Sequence, residues 1–312
     1  MASIVTLTMN PALDIATETD RVVPNHKLRC SEPRYDPGGG GINVARAVHA
    51  LNGDALAIFP AGGSAGELIC HLLTAEGVRY LAVPVAGFTR ESFNIEDRSS
   101  GEQYRFILPG PDIDRTVQED CLTQLSRAAA TASHIVASGS LPLGVSDNFY
   151  AQVGAVARKL GKRLVLDTSG PALKHAGDGI FMLKPSLREL QDLTGREIWS
   201  ERDEEAAALQ LIENGRCEIV ILSLGERGAV LATKGKTERL PAIPVAAKSG
   251  VGAGDAMVAG TVVGLTRGLE LRDAVCFGMA AGAAAMLRSG TQLCERGDVE
   301  RLYAQASSRA RA

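Results

Sequence analysis

Short apolar runs alternate with longer stretches of helical periodicity through most of the chain. Ile4 to Met9, Ala55 to Phe59, His134 to Ala137, Arg163 to Leu166, Ile180 to Leu183 and Ile219 to Leu222 are almost continuously apolar and brief. Runs of that kind are strands buried on both faces. Between them, Ile42 to Leu51, Gly66 to Glu76, Cys121 to Thr131, Asp147 to Lys159, Leu187 to Leu193 and Glu204 to Asn214 carry helical patterns. Strand then helix, repeated, predicts a parallel sheet with helices on both faces, in which ligands bind at the carboxyl ends of the strands. The loops that follow strands therefore carry the interest: Asn10-Pro11, Ser138-Gly139-Ser140, Asp167-Thr168-Ser169, Lys184-Pro185-Ser186 and Ser223-Leu224-Gly225.

Two stretches break this rhythm. Asp20 to Tyr35 and Glu91 to Leu108 read as alternating, polar strands, the second as a hairpin of Phe93-Asn94-Ile95 against Gln103-Tyr104-Arg105-Phe106 that turns at Ser99-Ser100-Gly101. Together they predict a small antiparallel sheet outside the main one, serving as a lid or a dimer interface; ordinary edge strands are the simpler alternative. Internal repeats, low-complexity segments and linkers are lacking, which makes the chain one domain over residues 1–312.

Composition narrows the function classes. The chain has 312 residues, 45% hydrophobic and 22% charged, with 34 glycines and few aromatics. That is enough to bury a full core. A net charge of −3 provides no basic field for nucleic acid or an anionic membrane. The six cysteines lie far apart without a CxxC pair, so neither zinc nor a redox pair is indicated. Met1-Ala2-Ser3-Ile4-Val5 reads as a strand start and not a signal peptide, and Gly278 to Leu287 is too short to span a bilayer. The expectation is a cytoplasmic protein.

The chemistry concentrates in Ser249-Gly250-Val251-Gly252-Ala253-Gly254-Asp255, just before a small-residue apolar run, Ala256 to Leu265, that reads as a buried helix. Glycines bring bare N–H groups to the helix mouth and make an anion site. A carboxylate there adds a proton acceptor, a pairing suited to phosphoryl transfer to a hydroxyl. The competing reading of Asp255 is a helix cap. The earlier cluster Gly38-Gly39-Gly40-Gly41 precedes Ile42-Asn43-Val44-Ala45-Arg46. It fails the dinucleotide fingerprint, whose sixth position would be Asn43 or Val44, and suits close approach of the backbone to a small ligand or a purely structural turn. A Walker A motif is absent, since Gly161-Lys162 and Gly235-Lys236 follow Val156 and Val230 where a glycine is needed. The five histidines lack metal-ligand spacing, and Ser140 lacks a nucleophile elbow. Lys27, Arg29, Arg34, Arg90, Arg98 and Arg105 gather in the two odd stretches. They form either an anion clamp suited to a sugar phosphate or charges that keep edge strands from aggregating.

Taken together these segments resemble the PfkB branch of the ribokinase-like sugar kinases. The resemblance covers nearly the whole chain and includes both family signatures, Pro37 to Arg46 and Val251-Gly252-Ala253-Gly254-Asp255. Within the family the finer match is to the minor, ATP-dependent bacterial 6-phosphofructokinase branch. It is carried by Thr6-Leu7-Thr8, Pro11, Leu13-Asp14, Lys27-Leu28-Arg29-Cys30, Ile58 to Gly63, Ser100 to Phe106, Ser138 to Pro142 and Gly290 to Cys294. The 1-phosphofructokinases usually carry a lysine where this chain has Gly40.

The resemblance implies a ribokinase-like three-layer α/β/α core with a mostly parallel sheet and a small antiparallel β lid, the lid segments lying at about 15–37 and 87–108. It implies transfer of the γ-phosphate of MgATP to fructose 6-phosphate. The enzyme alternatives are 1-phosphofructokinase and tagatose-6-phosphate kinase, and the alternative from another class is a non-catalytic sugar-phosphate sensor. Asp255 would be the base, and the N–H groups of Gly252, Ala253 and Gly254 the anion hole. Asp14, Gly39, Asn43 and Ser140 would hold the sugar; Lys27, Arg29, Arg90 and Arg105 its phosphate, with Arg90 reaching across a homodimer formed through the lid. Ser223, Leu224, Gly225 and Gly228 would wrap ATP, Ala281 and Ala284 would line the adenine pocket, and Lys184 would meet the phosphates. Asp167 and Glu189 would organise Mg²⁺ through water, and backbone oxygens near Ser249, Val251, Arg288 and Gly290 would form a potassium site. Ser186 departs from the family's usual Asn-x-x-Glu and would slow the metal step. Gly250 and Gln292 replace residues often seen as Thr and Arg.

Overall fold

The computed structural model describes residues 2–309; Met1 and residues 310–312 of the expected domain lie outside the described residues. In chain order the strands are β1 (Ile4–Leu7), β2 (Ala12–Thr19), β3 (Arg34–Gly38), β4 (Ala55–Ala61), β5 (Arg79–Pro84), β6 (Arg90–Asp97), β7 (Gln103–Ile107), β8 (His134–Ser138), β9 (Arg163–Asp167), β10 (Ile180–Leu183), β11 (Cys217–Ser223), β12 (Ala229–Thr233) and β13 (Lys236–Leu240). The helices are α1 (Gly40–Ala50), α2 (Gly63–Ala75), α3 (Arg115–Ala129), α4 (Phe149–Leu160), α5 (Gly170–Lys174), α6 (Leu187–Thr194), α7 (Glu201–Glu213), α8 (Ala253–Thr266), α9 (Leu271–Met286) and α10 (Arg296–Arg309).

Nine strands form the main sheet in the order β13-β12-β11-β10-β9-β8-β1-β4-β5. All its pairs are parallel except those that β12 makes with β11 and β13. Alternate side chains divide between two cores, as a two-residue period requires. Ile4, Val136, Val165, Ile219 and Ile221 point to the core shared with α1, α2, α8, α9 and α10. Val5, Leu7, Ile135, Leu164, Leu166, Val220 and Leu222 point to the one shared with α3, α4, α5, α6 and α7. Both faces are covered, which is why these strands are apolar throughout. From the central β1 the chain builds outward to β4 and β5, then returns through β8 to build the other half, so the crevice between β1 and β8 is the topological switch point.

A second sheet, β3-β2-β6-β7, stands outside the first. Its hairpin joins the two segments expected from the sequence, pairing Phe93 with Phe106, Asn94 with Arg105 and Ile95 with Tyr104. Its outer pairs are antiparallel, whereas the central pair, β2 with β6, is parallel. Both of those strands continue outward from the carboxyl ends of parallel main-sheet strands, β2 from β1 and β6 from β5, so they run the same way. Asp20 to Pro33, expected to be strand, is irregular apart from a bridge between Thr19 and Cys30. Pro24, Pro33 and the left-handed Asn25 (φ 62°) keep it from pairing. Among the described residues no helix is long and apolar enough to cross a membrane.

Candidate active site

The carboxyl ends of five adjacent strands, β11, β10, β9, β8 and β1, deliver Ser223, Lys184, Asp167, Ser138 and Asn10 along one line. The mouth of α8 faces that line. Gly252 caps α8 with φ 74°, a left-handed conformation that glycine adopts without strain. Asp255 lies in the first turn but makes no capping bond. Its two hydrogen bonds come from elsewhere: Asn43 Nδ2 on α1 donates to Oδ2 at 3.0 Å, and the Ser138 hydroxyl donates to Oδ1 at 3.4 Å. The capping reading is thereby set aside. Burial and the charge of Asp167 outweigh the bonds from Asn43 and Ser138 and lift the Asp255 pKa to about 7.

Beside Asp255, Lys184 Nζ stands 3.2 Å from Asp167 Oδ1, with both side chains largely buried. Burial raises the Asp167 pKa, and the neighbouring Glu189 carboxylate adds to it, against the opposing pull of Lys184. Burial alone would lower the Lys184 pKa; Asp167, Glu189 and Asp255 outweigh it and hold the ammonium charged. A Cβ added at Gly254 would meet Lys184 Nζ at 3.4 Å, so the ammonium lies against the α8 amides. Ser186 and Glu189 form a capping box at the start of α6. The Ser186 N–H donates to Glu189 Oε2 at 2.7 Å, and the Glu189 N–H donates to the Ser186 hydroxyl at 3.3 Å. Among the described residues no group of three or more His, Cys, Asp or Glu side chains is arranged to hold a metal ion.

On the other side of α8 a cavity of about 250 Å³ is lined by Ser223, Gly225, Gly228, Ala253 and Gly254, with an apolar wall of Ile243, Met257, Met279, Ala283 and Met286. Ala281 and Ala284, expected to line it, do not. Both are fully buried, and a Cβ at Gly260 of α8 would meet that of Ala281 at 2.8 Å. Met279, Gly282, Ala283 and Met286 follow the i, i+3, i+4, i+7 spacing of one helix face, which turns Ala281 and Ala284 to the core. Leu224 likewise gives its side chain to the core, and its N–H is taken by the Gly228 carbonyl at 2.9 Å. The methionines and Ile243 escaped the sequence reading, because an apolar residue on a buried helix looks the same whether it faces core or cavity.

The lid's register puts Asp14, Arg90 and Arg105 on one face. Burial lifts the Asp14 pKa to about 6 despite Arg90 and Arg105. Within the chain, Arg90 donates to the Asn10 carbonyl at 3.1 and 3.3 Å. Asn10 Nδ2 donates to the Ser140 hydroxyl at 3.1 Å. Lys27 and Arg29 are exposed on the irregular loop. Arg34 and Arg98 drop out of the clamp: Arg34 pairs with Asp36 at 2.8 Å, and Arg98 with Glu18 and Asp20. The glycine cluster serves packing at the switch point. Gly39 has φ 105°, and a Cβ at Gly40 would lie 2.2 Å from the Ser138 oxygen.

The family model for pfkB family carbohydrate kinases matches residues 7–297. The chain belongs to that family. It is 52% identical over 304 residues to the ATP-dependent 6-phosphofructokinase isozyme 2 of Mycobacterium tuberculosis, covering 97% of this chain and 90% of that protein. The isozyme 2 of Escherichia coli is 40% identical over 312 residues, covering 98% and 100% of the two chains. A solved structure of that Escherichia coli phosphofructokinase-2 in complex with potassium superposes with a TM-score of 0.94 over 98% of this chain and 100% of that one, and another is a tetrameric inhibited form. The 1-phosphofructokinase of Xanthomonas campestris is 32% identical, covering 84% of this chain and 83% of that protein.

In this pfkB-family chain the two loops expected to hold potassium do meet. The Ser249 hydroxyl donates to the Gly290 carbonyl at 2.9 Å and accepts the Val251 N–H at 3.2 Å. The Arg288 guanidinium turns outward to Glu295 and Asp298.

Proposed function

We propose that this chain transfers the γ-phosphate of ATP to the 1-hydroxyl of fructose 6-phosphate. The observation that carries the reading is the Asp255 carboxylate at the α8 mouth, unused as a cap and held by Asn43 and Ser138 from two other elements. With a pKa of about 7 it can take the hydroxyl proton near neutrality. The amides of Gly252, Ala253 and Gly254, with Lys184 alongside, oppose the charge that develops on the transferred phosphoryl group. The apolar cavity takes the adenine against Ile243, Met279 and Met286. Asp14, Asn43, Gly39 and Ser140 hold the sugar, and Arg90, Arg105, Lys27 and Arg29 its phosphate.

Asp167 and Glu189 fit a magnesium ion held through water: each carboxylate feels the other's charge, and a cation bound to the ATP phosphates relieves that repulsion. When bound, Mg²⁺ neutralises phosphate charge and orients the γ-phosphoryl group. The Ser249–Val251 and Arg288–Gly290 backbones fit a potassium ion, as the potassium complex of the relative suggests. Gly40, standing where the 1-phosphofructokinases usually carry a lysine, favours the 6-phosphate over the 1-phosphate reading. Both substrates are charged metabolites held in the cytoplasm, where we place the reaction.

The lid leaves Phe106, Ile107, Leu108 and Tyr35 exposed. Phe106, Ile107 and Leu108 are consecutive along and just past the edge strand β7, with Tyr35 on the opposite edge strand β3, and exposed apolar side chains along a sheet edge favour pairing of two copies through it. The activity is tested by a coupled ATPase assay over fructose 6-phosphate, fructose 1-phosphate and tagatose 6-phosphate. Preferred turnover of fructose 6-phosphate is expected; preference for another sugar would replace the substrate, and binding without turnover of any would replace the kinase with a sensor.

A further inference from the structure

The lid strand that carries Arg105 is hydrogen-bonded to the loop that builds the anion hole. Gln103 stands two residues before Arg105 on β7, on the same face of the strand. Its side chain reaches off the lid: Nε2 donates to the Lys248 carbonyl at 3.3 Å, and Oε1 lies 3.5 Å from the Ser249 hydroxyl. Ser249 is 5% exposed. By accepting the Val251 N–H, its hydroxyl fixes the turn that leads at once into Gly252, the cap of α8. A second tie runs beside the first. Arg34 on β3 donates to the Ser289 carbonyl at 3.2 Å, Asp36 accepts the Thr291 hydroxyl, and a Cβ at Gly290 would meet Ala16 of β2 at 3.0 Å. Lid and anion hole are thus joined by polar contacts on both flanks.

We infer that Gln103 and Ser249 are positioning residues, a latch through which the lid's grip on the sugar phosphate sets the geometry of the anion-hole amides. The inference rests on the sugar phosphate binding at the lid. Its physical basis is that anion-hole donors must meet the transition-state oxygen at hydrogen-bond distance, and a displacement of about 1 Å costs on the order of 10²-fold in rate. A neutral amide suits the task, because its Nε2 donates to the Lys248 carbonyl while its oxygen offers the Ser249 hydroxyl proton, which otherwise goes to the Gly290 carbonyl, a second acceptor. An ionised glutamate of the same length loses the donor.

The test uses Gln103→Glu, with Ser249→Ala and Ser249→Thr as a second pair. Affinity for a non-hydrolysable ATP analogue is measured with and without fructose 6-phosphate, alongside kcat and both KM values. In the parent the sugar phosphate should tighten the analogue by about fivefold or more, the size of an ordinary coupling between sites. Gln103→Glu and Ser249→Ala should bring that factor close to one and lower kcat by roughly tenfold. The KM for fructose 6-phosphate and the melting temperature should change little, and Ser249→Thr should keep the parent's coupling. Parent-like coupling in Gln103→Glu, or no coupling in the parent, would overturn the latch. So would a uniform loss of both affinities with a fallen melting temperature, the mark of a merely structural role. Absence of turnover by the parent itself would instead count against the proposed activity.

Discussion

A carboxylate in the first turn of a helix is ordinarily held ionised by the amides around it. At Asp255, burial and the nearby Asp167 charge reverse that balance and place the pKa at about 7. The sign has two consequences. A base must be deprotonated, so kcat/KM should fall as pH drops through about 7 and level off above it. The folded state holds the Asp255 proton more tightly than the unfolded chain, whose carboxyl titrates near the ordinary aspartate value of 3.8. Its contribution to stability is therefore lost as pH rises through about 7. Asp255→Asn should cut turnover by about 10²–10⁴ with sugar affinity largely kept, yet raise the melting temperature, and by more at pH 8 than at pH 5, because the loss builds up between the unfolded value of 3.8 and the folded value of about 7. Near-parent turnover, or a lowered melting temperature at pH 8, would refute the assignment. Ser186 makes the complementary case. Its hydroxyl caps α6, and asparagine caps equally well, so Ser186→Asn should fold as the parent does. An added amide beside Glu189 should lower the Mg²⁺ needed for half-maximal activity by roughly tenfold; an identical magnesium titration would show that serine costs the metal step nothing.

At the scale of elements, the contact of α8 with α9 decides where the cavity proposed for the nucleotide lies. Small residues let the two helices approach closely: a Cβ at Gly278 would lie 2.0 Å from the Thr261 hydroxyl and 2.5 Å from the Met257 carbonyl. Gly278→Ala should therefore force α9 outward, destabilising the protein by about 1–3 kcal/mol. Met279 and Met286 on α9 would move with it, so the KM for ATP should rise more than that for the sugar; denaturant midpoints and steady-state kinetics check both. Among the strands of the main sheet, β5, β12 and β13 were hidden in the sequence, and they lie toward the sheet's edges. The half-exposed pattern of Lys236–Leu240, and that of Arg79–Pro84, lacks the continuous apolar run of a strand covered on both faces.

At the scale of the whole molecule, the lid joins the sugar site to the surface. One face carries Asp14, Arg90 and Arg105, while Phe106 is 53% and Ile107 61% exposed. If two copies pair there, Phe106→Lys with Ile107→Lys should shift the sedimentation of the protein from dimer to monomer. The KM for fructose 6-phosphate should rise by more than that for ATP, because Phe106 and Ile107 adjoin Arg105 on β7, whereas the cavity is walled by Met257 of α8 and by Met279 and Met286 of α9. Unchanged sedimentation would remove the lid as the interface.

The alternation of apolar runs and helices, the glycine-rich mouth of α8 and the strand-end positions of Ser138, Asp167, Lys184 and Ser223 were all legible along the chain, because each is a local pattern that backbone geometry translates directly. Which groups meet was not. Asn43 and Asp255 are 212 residues apart, and only the packing of α1 against α8 brings them to 3.0 Å. Folding likewise decided that Ala281 and Ala284 face the core, that Arg34 and Arg98 are spent on lid carboxylates, and that Asp255 titrates near neutrality. Periodicity reports the face a residue presents, whereas partners and proton affinities depend on burial and on charges brought together from distant parts of the chain.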